Sequence, residues 1–499
     1  MTYANRHPSC ICVMARYVFG AASAFTLALC TTQSVASESN PAERIDKFLA
    51  EGADNGFSGA ILVSVNGNVV LNEGYGLANK EEELPFTPDT VISIGSVTKQ
   101  FTATAILLLV ERSQLSVDDP VSHYFPDLPD NKKNITIHQL LTHSSGLPHS
   151  IGDGDFDHIP THEFFSELFN GDLMFEPGER YGYSNAGYSV LARIIELQSG
   201  MDYESFIAHN LFGPAGMKRT GYTLPHWDDL VLAHAYQRNI IDRGTMIERF
   251  KSDGAVSWNL KGNGGIHSTQ NDMYLWYLAL ENNTVLSSEL TKQLTTSYIA
   301  EQESGDSHYG YGWAIFTSDR DTQIITHNGG NGAFFHEFLW LPDDKAVIIF
   351  STNATSQQVE RTWAIEKMLF NASFQPEPII ENVYQLVFDF MAQQPPAEIT
   401  KLKSILRSHY ESEISSPTVL NRLGYLSLQF REDKQWAVEI FSFNSQLFPD
   451  DPNVWDSLGD GYRANGQKAK AIDAYRSAVR LGSRESQTKI NELTDAGVR

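Results

Sequence analysis

Cysteine is nearly absent from this 499-residue chain: only Cys10, Cys12 and Cys30 occur, all in the first segment. Once that segment is removed, the chain can form no disulfide and offers no thiolate as nucleophile or zinc ligand. Long apolar runs are missing too. Beyond residue 36 no stretch approaches the ~20 residues that cross a bilayer. Positive charge is scarce, with 37 Lys and Arg against 61 Asp and Glu, a formal charge of −24. Such a balance repels phosphate backbones and anionic lipid, which argues against nucleic-acid binding.

The composition that remains is that of an ordinary globular protein, 41% hydrophobic and 11% aromatic, with length enough for two or three cores. Residues 1–36 read as a secretory signal. Arg16 precedes an apolar run from Tyr17 to Leu29, and Ser34-Val35-Ala36 is a small-x-small cleavage pattern. The stretch before Met14 is long for such a leader, which leaves Met1 or Met14 as the start. Leu29 stands where a lipoprotein signal has Gly or Ala, so plain cleavage is preferred over anchoring at Cys30. The mature product is therefore expected in the periplasm or outside the cell, without a transmembrane anchor.

The chemistry centres on Ile94-Gly95-Ser96-Val97-Thr98-Lys99. Residues 96–112 hold no Pro or Gly and are mostly apolar, as in a helix buried on most sides. Ser96 falls at its first turn, and Lys99, three residues on, shares its face. A buried amine tends to lose its proton, and a neutral lysine beside a serine is a base beside a nucleophile. Helix capping is the competing reading of Ser96. About two Ser-x-x-Lys copies are expected by chance in a chain this long, and a second stands at Ser486–Lys489 in a polar helix, where it suggests no function.

Around this stretch the pattern predicts a helix over 41–54, a hairpin over 58–75 turning at Asn66-Gly67, and a short helix over 135–142. It predicts further helices over 184–200, from an Asp202 cap to Phe212, and over 271–281. Strands are expected at 311–316, 323–327, 334–340 and 346–351. Strands at both ends with helices between suggest one antiparallel sheet closed by the two ends, plus a helical lobe. In the loop 147–160, Asp153-x-Asp155-x-Asp157 invites calcium. However, His158 stands at the sixth loop position and Phe164 at the twelfth, against the Gly and Glu such loops require. A solvated acidic loop is the better reading. His336-Glu337 begins a zinc-protease pattern, but Trp340 stands where its second His belongs.

Pro376, Pro378, Pro395 and Pro396 punctuate a linker with one helix. Beyond it Trp455, Leu458, Gly459, Tyr462, Ala471, Tyr475 and Ala478 fall at tetratricopeptide spacing. Ala437, Phe441 and Pro449 match 34 residues earlier, and Leu423-Gly424 with a one-residue shift. Two repeats are few, so this part is expected to lean on the rest of the chain or on a protein partner.

Two further motifs complete the constellation. Tyr183-Ser184-Asn185 precedes a helix and could aim a phenol and an amide into a cleft. His327-Asn328-Gly329-Gly330 ends a strand, where glycines allow close approach of substrate. The order Ser96-x-x-Lys99, Tyr183-x-Asn185, His327-x-Gly329 resembles the serine β-lactamase and penicillin-binding-protein-like hydrolases, in the branch of class C β-lactamases, DD-peptidases and esterases. The phrases Leu140-Leu141-Thr142-His143-Ser144-Ser145-Gly146-Leu147-Pro148 and Phe175-Glu176-Pro177-Gly178 belong to the likeness.

The resemblance implies a two-lobe α/β fold over 43–372, followed by a linker and helix over 373–400 and tetratricopeptide-like helices over 401–499. It implies that Ser96 is acylated, that Lys99 and Tyr183 share base and acid duties, and that Asn185 orients Lys99 and substrate. His327 would offer a donor or positive edge, Asn328 and Gly329 would line the substrate, and the N–H groups of Ser96 and Gly330 would form an oxyanion hole. His143 is read as a structural histidine, and Gly262–Gly265 resembles a loop at the site edge. No cofactor or metal is implied. His327 and Asn328 replace the Lys and Thr that hold a carboxylate in penicillin-hydrolysing relatives. A small-molecule or peptide substrate cleaved by a peptidase or esterase is therefore favoured over β-lactam resistance. A non-catalytic peptidoglycan- or protein-binding module on the same fold is the alternative.

Overall fold

The computed structural model describes residues 40–152, 154–354 and 358–495; the signal-like segment and Asp153 lie outside the described residues. Helix α1 (Pro41–Ala53) is capped by the Asn40 side chain and presents Ile45 and Leu49 inward. Strands β1 (Gly59–Val65) and β2 (Asn68–Tyr75) follow. Asn66 and Gly67 both have positive φ, 51° and 76°, which matches the strand twist across a two-residue turn.

The sheet is completed far along the chain by β3 (Ile299–Ala300), β4 (Ser307–Tyr309), β5 (Ala314–Thr317), β6 (Gln323–Gly330), β7 (Phe335–Leu341) and β8 (Ala346–Thr352). The spatial order is β2-β1-β8-β7-β6-β5-β4-β3. β1 pairs antiparallel with β8, Gly59 opposite Thr352, so the two ends of the domain do close one antiparallel sheet. β7 and β8 are buried throughout because both faces of the sheet are covered. On one face, α1 and a helix after β8 (Gln358–Phe370) enclose Ile45, Leu49, Val63, Leu339, Ile348, Ile365 and Met368. The other face meets the helical lobe and the largest core.

Two strands, β3 and β4, were not expected from the pattern, being only two and three residues long. The strand expected from Tyr311 begins only at Ala314. Gly312 has φ of 80°, and a Cβ there would stand 2.8 Å from the Lys99 carbonyl oxygen. The chain must turn there to pass the start of the Ser96 helix.

After the domain come helices at Val383–Gln393, Ile399–His409, Pro417–Phe430, Lys434–Leu447, Pro452–Ala464, Lys468–Arg480 and Arg484–Asp495. The helix placed in the linker is core material. Val383, Val387 and Met391 pack with Leu402, Leu423, Trp436 and Ile440, and Ile241 of a small hairpin in the hydrolase-like domain joins them. The C-terminal helices thus do lean on the preceding domain. Gly424 faces the Phe441 ring and Gly459 the Tyr475 ring, so closely that a Cβ on either glycine would overlap the aromatic carbons. Gly459→Ala should therefore destabilise these helices by about 1–3 kcal/mol through overpacking. Urea unfolding followed by tyrosine fluorescence checks this, with an unchanged midpoint counting against the packing.

Candidate active site

Ser96 sits in a single 3₁₀ turn, Gly95–Val97, that runs directly into α2 (Thr98–Glu111). Every residue of α2 from Thr98 to Leu109 is buried, which puts the Lys99 amine in a place without water. Its three polar neighbours are Ser96 Oγ at 3.1 Å, Asn185 Oδ1 at 2.8 Å and the Asn263 carbonyl oxygen at 2.7 Å. Burial drives the Lys99 pKa well below the ordinary lysine range. A neutral amine has two N–H donors and one lone pair. The two amide oxygens can only accept, so they take the donors, and the lone pair is left for the Ser96 hydroxyl.

Ser184 organises the second motif. Its side chain caps α3 (Asn185–Ser199) by accepting from Gly187 N–H at 3.0 Å, and its hydroxyl donates to the Pro148 carbonyl at 2.6 Å. Its own N–H donates to His143 Nδ1 at 3.0 Å. Fixing the cap in this way sets the phenol before it and the amide after it on two sides of Lys99. The Lys99 amine lies 4.7 Å from the centre of the Tyr183 ring, and Tyr183 lines the same cleft as Ser96. Burial raises the Tyr183 pKa well above the usual phenol range, against a lowering effect of the Ser96 side chain.

The two family-like phrases form the shelf beneath. Gly182 N–H donates to the His143 carbonyl, Gly178 N–H to that of Ser144 and Met174 N–H to that of Gly146, each at 2.8 Å. His143 is buried with φ of 57°, and its ring lies 4.3 Å from that of Tyr183. It has the supporting place expected of it.

Strand β6 brings the third motif against the nucleophile. A Cβ on Gly329 would overlap the Ile94 carbonyl oxygen and stand 2.5 Å from the Ser96 nitrogen, and a Cβ on Gly95 would stand 2.7 Å from the Gly330 nitrogen. Only paired glycines permit that approach. The expectation of a positive edge at His327 fails. His327 Nδ1–H donates to the Asn328 carbonyl at 2.6 Å, and the Tyr309 hydroxyl donates to Nε2 at 2.9 Å. Burial first, then the neighbouring Lys99, push its pKa down to about 3, so the ring is neutral and both nitrogens are engaged. A cleft of about 480 Å³ opens over Ser96, and Tyr181, Tyr183, Glu301, Tyr309, Asn328 and Gly329 are among its walls.

Three of these groups escaped sequence reasoning. Tyr309 and Glu301 lie on or beside the short edge strands, and the Asn263 contact is a backbone oxygen, which no side-chain motif reports. The Gly262–Gly265 turn was a partial signal for it. A Cβ at Gly262 would lie 2.5 Å from Ala192 Cβ, so that glycine lets Asn263 reach past α3 to the lysine. No cluster of His, Cys, Asp and Glu able to hold a metal occurs among the described residues.

A family model described as Beta-lactamase matches residues 44–369. The chain belongs to that family. Penicillin-binding protein 4* of Bacillus subtilis (strain 168) is 27% identical over 324 residues, covering 61% of this chain and 70% of that protein. The octameric penicillin-binding protein homologue from Pyrococcus abyssi superposes with a TM-score of 0.56 at 27% identity, over 70% of this chain and 81% of that one. A class C beta-lactamase from Rhodobacter sphaeroides shares the fold, with a TM-score of 0.55 at 22% identity over 66% of this chain and 99% of that one. This beta-lactamase-family chain extends beyond the matched domain by its C-terminal helices.

Two outcomes follow. Gly329→Ala should slow fluorophosphonate labelling of Ser96 by about 100-fold or more, because the new methyl displaces the Ser96 backbone; labelling at the wild-type rate would contradict the close approach. His267, His327 and His336 are buried, and burial is the largest cause of pKa values of about 3. The unfolded chain therefore takes up protons below about pH 6.5 that the folded one refuses until about pH 3. Stability is lost as pH falls through that window, by up to about 1.4 kcal/mol per pH unit for each histidine. His336→Gln removes one such group, so urea midpoints of variant and wild type should converge between pH 7 and pH 5, and parallel curves would refute the assignment.

Proposed function

We propose that this protein is an exported serine hydrolase that cleaves an amide, ester or lactam through an acyl-enzyme on Ser96, with the C-terminal helices as a tetratricopeptide-like, protein-recruiting appendage. The observation that carries the reading is the buried Lys99 amine, held by two carbonyl oxygens with its lone pair facing the Ser96 hydroxyl. Lys99 accepts the Ser96 proton as Oγ bonds to the substrate carbonyl carbon. The oxyanion is met by the Ser96 and Gly330 N–H groups, an arrangement worth ~10²–10³ in rate per donor. Tyr183, whose raised pKa makes it a phenol rather than a phenolate, donates its proton to the leaving nitrogen or oxygen as the C–N or C–O bond breaks. The Lys99 ammonium restores that proton. Water then repeats the sequence on the acyl-enzyme, releasing the acid and free Ser96.

Asn185 holds the lysine and can meet a substrate amide. His327 buttresses the cleft wall as a neutral ring. Relatives are named penicillin-binding proteins, but the neutral His327 and the hydroxyl-free Asn328 favour a peptidase or esterase over a β-lactam-resistance enzyme. The composition of residues 1–36 and the kinship with penicillin-binding proteins support export.

A panel of p-nitrophenyl esters, D-amino-acid peptides and nitrocefin tests the reading. Ser96→Ala should abolish turnover, and Lys99→Met should lower kcat/KM by at least about 10²–10⁴ with little loss of stability, since it removes a buried amine. With Lys99 as base, kcat/KM falls as pH drops through its lowered pKa, because protonation consumes the lone pair. Full activity in Lys99→Met would overturn the mechanism.

A further inference from the structure

The cleft over Ser96 has an unusual charge. Among the described residues its wall contains no lysine or arginine. Lys99 is not part of that wall, its amine being held by Ser96, Asn185 and Asn263 and its pKa lowered by burial, and His327 is neutral with both nitrogens occupied. A substrate carboxylate would find no positive partner there. What the wall does contain is two glutamates: Glu337 on β7, which is buried, and the more accessible Glu301, just past β3, with Tyr181 and Tyr309 also in the wall.

Glu301 is held in place by Ser307. The Ser307 hydroxyl donates to its carboxylate, and its N–H donates to the Ser307 carbonyl at 2.9 Å. A carboxylate has about four acceptor sites, so one hydroxyl donor leaves room for others. Its field reaches Tyr181, Tyr183 and Tyr309. From the opposite loop, exposed Asp155 lies within electrostatic reach of Lys99 and His149. A fixed carboxylate in the cleft wall attracts a cation by charge.

We propose that this cleft selects acyl donors carrying a positively charged nitrogen, and that Glu301 is the residue that reads it. The inference rests on the acyl-transfer reading above and adds the substrate class to it. The leaving group is the alcohol or amine portion, and the cationic group belongs to the acyl part that is transferred to Ser96.

Three p-nitrophenyl esters of matched length test it: 4-(trimethylammonio)butyrate, its neutral carbon isostere 5,5-dimethylhexanoate, and glutarate. Their charges do not change across neutral pH, so titration of the enzyme does not confound the comparison. In the wild type, kcat/KM for the cationic ester should exceed that for the neutral one by about tenfold or more. The anionic ester should be worst, and the preference should reside in KM and shrink with salt. Glu301→Gln should bring the cationic-to-neutral ratio close to one, and Glu301→Lys should turn the preference toward glutarate. Fluorophosphonate labelling of Ser96 in each variant shows that the site is assembled. A wild-type ratio at or below one, or a ratio unchanged in Glu301→Gln, overturns the inference while leaving the hydrolase reading intact. No turnover of any ester together with no Ser96 labelling would instead overturn that reading.

Discussion

The architecture depends on keeping one amine dry. The Lys99 side chain loses its hydration to α2 and the helical lobe, and a buried ammonium would cost several kcal/mol. The protein answers with carbonyl oxygens rather than carboxylates. Asn185 Oδ1 and the Asn263 carbonyl offer dipoles that hold an N–H in place without stabilising a full charge. A carboxylate in either position would restore the proton and silence the base. Asn185 comes from the first turn of α3, and Asn263 comes from a glycine turn wedged against that same helix. The mutual placement of α2, α3 and the turn is therefore set by the needs of one nitrogen.

The second Ser-x-x-Lys shows the opposite choice. Ser486 donates to Asp456 at 2.5 Å, and Lys489 lies 2.6 Å from Asp456 and 2.9 Å from Asp460. There the hydrogen bonds to the two carboxylates raise the lysine pKa against a burial effect that lowers it. The same four-residue spacing on a helix thus gives a charged structural pin in one place and a neutral amine in another. The difference lies in the depth of burial and in whether carbonyls or carboxylates surround the amine.

The sheet does for the backbone what the lobe does for the lysine. β6 ends in glycines, so Gly329 can press against Ile94 and Ser96. That contact holds the nucleophile's turn to the end of an interior strand of an eight-stranded sheet packed on both faces. The phrase around His143 holds the Tyr183 side from below through backbone bonds and the His143–Ser184 link. Much of what marks the chain as a member of the beta-lactamase family is scaffold of this sort, supporting three side chains it does not include.

Local pattern determined a good deal by itself. The apolar run after Ser96, the Asn66-Gly67 turn, the Asp202 cap and the apolar stretch of β8 each report a backbone preference confined to a few neighbours, and each was legible for that reason. The order of Ser96, Lys99, Tyr183, Asn185 and His327 carried the family because motif order survives where loops do not. Tertiary structure alone decided the charge states. Lys99 and His327 are neutral because distant segments exclude water from them, and no window of sequence contains those segments. It also decided the roles of Tyr309, Glu301 and the Asn263 carbonyl. The first two sit on or beside strands too short to be recognised, and the third acts through a main-chain atom that every residue possesses.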